Sequence, residues 1–477
     1  MRLKGYKEHS GSRLPWIEVA PGAPYFQTED GEAWTPIGQN DAITWPELAG
    51  LFRRRDLAGV ERHLSYLAAS GVTCLRLMLE YSQVRHRFLE RPTGTFVPSL
   101  VRLWDDLFEL CARHGLRVLL TPFDTFWMWR RWKHHPYNRA NGGVCRRRSQ
   151  WLICSQTRAA IKARLAFAAE RWGGSGVIFA WDLWNEIHPA HAGNDAGFFA
   201  EFIDDLSADL RRCERQLFGR SHPQTVSIFG PLLLERPETA EAVLRHPALD
   251  FHSSHFYEHG TIDDPRDTLV PAVSVGRLVR QALAEVPPHR PFLDSEHGPI
   301  HTYKDHHRTL PEAFDDEYFR HIQWAHLASG AAGGGMRWPN RSPHTLTPGM
   351  RAAQGALAGF TPLVDWTRFR RRNLNEEIGV KGAAAAGFAC GDESQAVAWL
   401  VRTDRLARSG RIDRRAAPIA PLLSLPGLAP GRYCARFWDT VEGRPAGAAE
   451  AICTPGGRLD IQLPPFVSDL ALAVRRA

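Results

Sequence analysis

The sequence predicts an α/β protein: a (β/α)8 TIM barrel followed by a small C-terminal antiparallel β-sandwich domain. Three observations carry this expectation. Short apolar runs alternate with segments whose apolar residues recur three and four apart, and the order repeats across roughly the first 360 of the 477 residues. Past Trp366 the texture changes to brief β-like stretches separated by Gly- and Pro-rich turns. Two of the apolar runs also end on a glutamate, Glu186 in VIFAWDLWNEIHPA and Glu296 in RPFLDSEHGPI. Leaving a carboxylate at the end of a hydrophobic strand is expensive unless something there uses it.

Taken in order, APYFQTEDGEAWTPIGQN reads as a hairpin about Asp30-Gly31, with the first barrel strand in PIGQN. Further strands are expected at 72–78, 116–122, 177–184, 225–229, 250–256, 291–295 and 331–338. Amphipathic helices are expected at 56–69, 99–114, 156–172, 197–217, 236–246, 271–285, 311–329 and 349–360. The barrel domain with its N-terminal hairpin thus spans 1–365. AVAWLVRT, RYCARFWDT, RLDIQL and DLALAVRR build an accessory β-sandwich over 380–477, expected to be structural. A Rossmann-like sheet is the structural rival, weakened because no GxGxxG follows the early strands.

Composition narrows the partners. Hydrophobic residues at 44% and charged residues at 23% are ordinary for a globular chain, and no apolar run reaches bilayer length. The net charge of +7 comes with 53 arginines against 6 lysines, a bias that points to a GC-rich coding sequence. The arginine clusters at 53–55, 145–150 and 369–373 lie far apart and read as solvated surface, so neither nucleic acid nor membrane is an expected partner. Eight cysteines without a CxxC pair read as buried free thiols. The opening MRLKGYKEHSGSRLPW lacks an apolar signal core, which predicts a cytoplasmic protein, or a secreted one if a leader has been trimmed.

The strand-end residues form a pattern. Glu186 follows the fourth strand and Glu296 the seventh, so a barrel would raise both from one rim, where such folds collect their chemistry. Arg76 lies on the second strand, His255 and Tyr257 follow the sixth as HxY, and Trp338 follows the eighth. WNE and SEHG in these positions resemble clan A of the glycoside hydrolases, most closely the cellulase-like family five, over most of residues 16–360.

The resemblance implies that Glu186 is the acid/base and Glu296 the nucleophile of a retaining hydrolase, about 5 Å apart. It implies further that Asn185 holds a sugar hydroxyl, that Arg76 and Tyr257 support the nucleophile, and that Trp338 floors the sugar subsite, with His255 beside them. Asp124 stands where the family commonly has a histidine, which bears on sugar specificity. Trp127, with Trp129 and Trp132, is expected to offer an aromatic sugar platform.

The implied activity is cleavage of β-linked glucan- or mannan-type oligo- or polysaccharides by double displacement, with no cofactor. No HxH ends the first strand and no HExxH helix occurs, so no metal is expected. A serine nucleophile elbow and a phosphate loop are missing as well. The alternative is a catalytically silent carbohydrate-binding barrel. Oligomeric state is not legible in the sequence.

Overall fold

The computed structural model describes residues 13–80, 88–300 and 309–477. An N-terminal antiparallel sheet of Ile17–Val19, Phe26–Thr28 and Ala33–Trp34 precedes the main body. Its turn passes through Gly31 at φ 85°, a left-handed value that glycine adopts without penalty. Parallel strands Gly38–Asp41, Cys74–Met78, Arg117–Thr121, Ile178–Asp182 and Gln224–Thr225 then pair in chain order. Only Val226 separates the last of these from Ser227–Phe229, which pairs in parallel with His252–Phe256, and that with Phe292–His297. Arg337 makes parallel bridges to both His297 and Gln39, linking the two ends of the series.

Helices fill the connections where the 3.6-residue pattern placed them: Leu57–Ala69, Pro98–Arg113, Ser155–Trp172, Phe198–Phe218, Val270–Glu285, Glu312–Ala328 and Pro348–Phe360. Two expectations need correction. The helix expected at 236–246 is present but shorter, Glu238–Leu244, starting after Pro237, and an unexpected short helix, Gly230–Glu235, precedes it; Pro237 has no N–H to continue the first into the second. Residues 331–338 are not a continuous strand; only Arg337 bridges. Gly333 at φ 145° and Gly335 at φ 75° break the pleat. The segment still lies along the preceding strand, since the N–H groups of Ala332, Met336 and Trp338 donate to the carbonyls of Phe292, Asp294 and His297 at 2.7, 2.9 and 2.8 Å.

The C-terminal part holds two antiparallel sheets. Six strands run in the order Arg372–Asn373, Ala385–Gly391, Gln395–Arg402, Asp469–Arg476, Gly431–Asp439 and Arg444–Cys453; three more, Gly379–Lys381, Leu422–Leu425 and Leu459–Gln462, form the second sheet. Strand alternation gives the larger sheet two apolar faces. Ala398, Leu400, Ala435 and Leu472 pack toward Leu423 and Ile461 of the smaller sheet. Val397, Trp399, Val401 and Ala471 join the core of the parallel part, with Ile322, Ala325 and Phe360. All eight cysteines are free thiols. No described helix is long and apolar enough to cross a membrane.

Candidate active site

The site is assembled around Arg76, whose side chain is fully buried in the Cys74–Met78 strand. Nη1 donates to Asn40 Oδ1 at 2.9 Å and to Glu296 Oε2 at 2.8 Å; Nη2 donates to Asp182 Oδ2 at 2.8 Å and to Asn185 Oδ1. Asn40, Arg76, Asp182 and Asn185 come from or just beyond three separate strands, so one guanidinium fixes the relative position of those strand ends. Burial alone disfavours its charge, but Asp182 and Glu296 outweigh that and hold the pKa above its ordinary value. A guanidinium suits this task because its donors form a rigid planar fork.

Glu296 owes its aim to a bulge. The pairing of His252–Phe256 with Phe292–His297 shifts between Ser254 and His255, so that Ser254 faces Asp294, His255 faces Glu296, and Ser295 is skipped. An extra residue of this kind redirects the side chains that follow it. Glu296 Oε1 accepts from the Tyr257 hydroxyl at 2.8 Å while Oε2 takes Arg76. Burial raises its pKa; the Glu186 charge adds to the rise, and His255, Arg76 and Tyr257 oppose it.

Glu186 sits at φ 51°, in the left-handed region that non-glycine residues enter at a cost of about 1 kcal/mol. Such outliers concentrate at functional sites. Its N–H donates to Ser227 Oγ at 3.1 Å, and its Oε1 lies 2.8 Å from His255 Nδ1. Burial pushes its carboxyl up to about 7, with Asp182 adding to the rise and Arg76 resisting it.

His255 links the two acids. Nδ1 is 2.8 Å from Glu186 and 3.8 Å from Glu296 Oε2, while Nε2 meets Ser295 Oγ at 3.1 Å, which in turn meets Ser253 Oγ at 2.6 Å. Burial lowers its pKa to about 4, so the ring is neutral at physiological pH. One ligand atom from each of Glu186, His255 and Glu296 lies within 4.8 Å of the others, a grouping able to hold a metal ion. Arg76 already places a fixed positive charge on Glu296, which opposes a second cation there.

Of the remaining sequence candidates, Asn185 and Asp124 are both buried and joined to each other, Asn185 Nδ2 donating to Asp124 Oδ1. Asp124 also lines a cavity of about 10 Å³, room for roughly one water, with Met78, Glu80, Phe88 and His135. Trp338 is 9% exposed and packs edge-on against Trp45 at 5.1 Å, beside Met78. The side chain of Trp127 lies outside the described residues, as do residues 304–308. Trp129 is exposed, with Arg148 4.5 Å above its ring. Trp132 packs at 5.2 Å against the buried Trp151.

Sequence reasoning missed Asn40, Asp182, Ser227 and Ser295. Asp182 carried a readable signal, an acid in the middle of the apolar run VIFAWDLW. Its Oδ1 and Oδ2 accept from the Ser227 N–H and hydroxyl, each at 2.9 Å. The serines carried none.

No protein-family model and no curated protein matches the chain. Solved structures do, and they define its class of fold: that of the glycoside hydrolases of family 5. One structure described as a glycoside hydrolase shares 14% identity at a TM-score of 0.61, covering 99% of both chains. A family 5 glycoside hydrolase from Bacteroides vulgatus shares 13% at 0.58, covering 99% of this chain and 95% of its own. The family 5 mannosidase of Rhizomucor miehei, solved as a point mutant in complex with mannosyl-fructose, shares 15% at 0.50 over 73% of this chain and 98% of its own.

Proposed function

We propose that this protein is a retaining β-glycoside hydrolase built on a closed (β/α)8 barrel. The Arg337 bridges at both ends of the parallel series support closure, as does the fold shared with family 5 structures. The observation that carries the reading is the pairing of Glu186 with Glu296: carboxylate oxygens from strands far apart in sequence meet within 4.8 Å, close to the separation of retaining enzymes, about 5–5.5 Å.

The two acids differ in their contacts, and the difference supports distinct roles. Glu296 accepts a cation and a phenol hydroxyl, both of which favour its ionised form, so it is the nucleophile that attacks the anomeric carbon. Glu186, lifted to about 7, keeps its proton near neutrality and delivers it to the leaving oxygen. In the second half-reaction it takes a proton from water, which displaces Glu296 and releases the sugar with its configuration retained. Neutral His255 can donate to the Glu186 carboxylate or accept from its acid form, so it holds Glu186 through both steps. Asn185 and Trp338 bind the sugar in the reacting subsite.

The substrate class is a β-linked oligo- or polysaccharide of glucan or mannan type. The mannosidases among structural neighbours support testing manno-configured sugars first. A panel of aryl β-glycosides in gluco, manno, galacto and xylo configuration tests the proposal. The wild type is expected to hydrolyse at least one and Glu296→Gln none; binding without hydrolysis across the panel would overturn it.

A further inference from the structure

The arginine cluster at 53–55, read from sequence as solvated surface, borders a groove of about 560 Å³. Its lining includes Arg53, Arg55 and Arg91 over an apolar floor of Phe52, Val97 and Leu100. The flanking segments lead from the Gly38–Asp41 and Cys74–Met78 strands into their helices, so the groove opens on the same face as Glu186 and Glu296. Phe88 belongs to the wall of this groove and to the small cavity beside Asp124, which places the two next to each other.

Among the described residues, no carboxylate forms an ion pair with the arginines of this groove. Asp106 is taken by Arg54 in a paired contact of 2.8 and 2.6 Å and Glu90 by Arg164 and Tyr137, while Asp56 caps the following helix by accepting from the Gly59 N–H at 2.8 Å. Arg53, Arg55 and Arg91 are exposed and form no ion pair among the described residues, and the first turn of Pro98–Arg113 carries no acid. Arg53 and Arg54 sit at φ 56° and 52°, a conformation L residues rarely adopt singly, let alone in succession. That backbone leaves Arg54 locked on Asp106 and Arg53 and Arg55 lining the groove.

We infer that this groove is a distal saccharide subsite for a sugar bearing an anionic group, a carboxylate or a sulfate. The substrate of the proposed glycosidase is then an acidic β-linked glycan. The catalytic consequence rests on the hydrolase reading; the binding does not. Guanidinium groups pair with planar and tetrahedral oxyanions through two parallel hydrogen bonds, and the apolar floor suits the C–H face of a sugar ring.

The test compares matched oligosaccharides, neutral or carrying one uronic acid or one sulfate. Calorimetry on the full-length Glu296→Gln protein reads binding. Turnover is read on the wild type and on the Arg53→Ala/Arg55→Ala/Arg91→Ala variant, with thermal melting as the control for folding. The expected result is at least tenfold tighter binding of an acidic ligand than of its neutral twin, an advantage that shrinks with salt. Introducing the triple substitution into the Glu296→Gln protein removes that advantage, while hydrolysis of a neutral aryl glycoside by the triple variant is unchanged. The carboxylate and sulfate arms tell which anion is preferred. Equal affinity for neutral and acidic ligands, an advantage that survives the triple substitution, or tighter binding of a single-stranded oligonucleotide overturns the inference. Failure to cleave any neutral glycoside would instead count against the hydrolase, and calorimetry would still decide the groove.

Discussion

Glu296 is buried and Glu186 half-buried, and what most separates the two carboxyls is the partner each holds. In the proposed mechanism Glu186 acts first as an acid, and burial sets it at about 7, so kcat/KM is expected to fall as pH rises through about 7. As the proposed nucleophile Glu296 acts ionised, and its raised pKa is expected to set the acid limb above the usual carboxylate range. Tyr257→Phe removes the hydroxyl that lowers the Glu296 pKa, and that limb is expected to move to higher pH. The lost hydrogen bond to a charged group is worth about 1.5–3 kcal/mol, or roughly 10- to 150-fold in kcat/KM. A pH profile with the same limbs in the variant would show that the phenol does not support the nucleophile. Glu186→Gln is expected to lose about 10²- to 10⁴-fold in kcat on poor leaving groups and less on activated aryl ones. Most of these residues were legible because charge in an apolar strand is costly and so conspicuous. Ser227 and Ser295 were not, since a serine in a strand reads the same whether it faces solvent or a carboxylate.

At the level of elements, the periodic helices could be read from sequence because their burial pattern is local. The bulge at Ser295 and the glycine-broken path of 331–338 could not, because both arise from pairing with a distant neighbour. Behind the site, the helix Ser155–Trp172 contributes Arg164, which is fully buried. It pairs with Glu80 at 2.9 Å and with Glu90, and lies 4.6 Å from the Phe123 ring. Burial alone would raise Glu80, but Arg164 and His135 hold it down at about 2. Its folded pKa lies below the free value of 4.5, so the stabilisation is present above that pH and is lost as pH falls toward 2. Arg164→Leu strands two buried carboxylates and is expected to cost about 3–5 kcal/mol in urea unfolding. A loss under about 1 kcal/mol would mean the cluster rearranges around the missing charge.

Across the whole molecule, the C-terminal sheet is clamped to the parallel part by both apolar and ionic contacts. Asp469 accepts from Arg320 of the helix Glu312–Ala328 at 2.9 Å and from Trp399 Nε1 at 3.2 Å. Asp469→Ala leaves that guanidinium buried without its partner and is expected to destabilise by about 3–5 kcal/mol. Calorimetry of the wild type should show one cooperative transition; two well-separated ones would mean the halves fold independently. The molecule's central proposition is that its two strand-end glutamates act as a retaining pair, and covalent trapping tests it most directly. Incubation with an activated 2-deoxy-2-fluoro β-glycoside of whichever configuration is cleaved, followed by peptide mass mapping, is expected to give a single glycosyl adduct on Glu296. An adduct on another residue, or turnover yielding the inverted anomer with no adduct, would contradict the account.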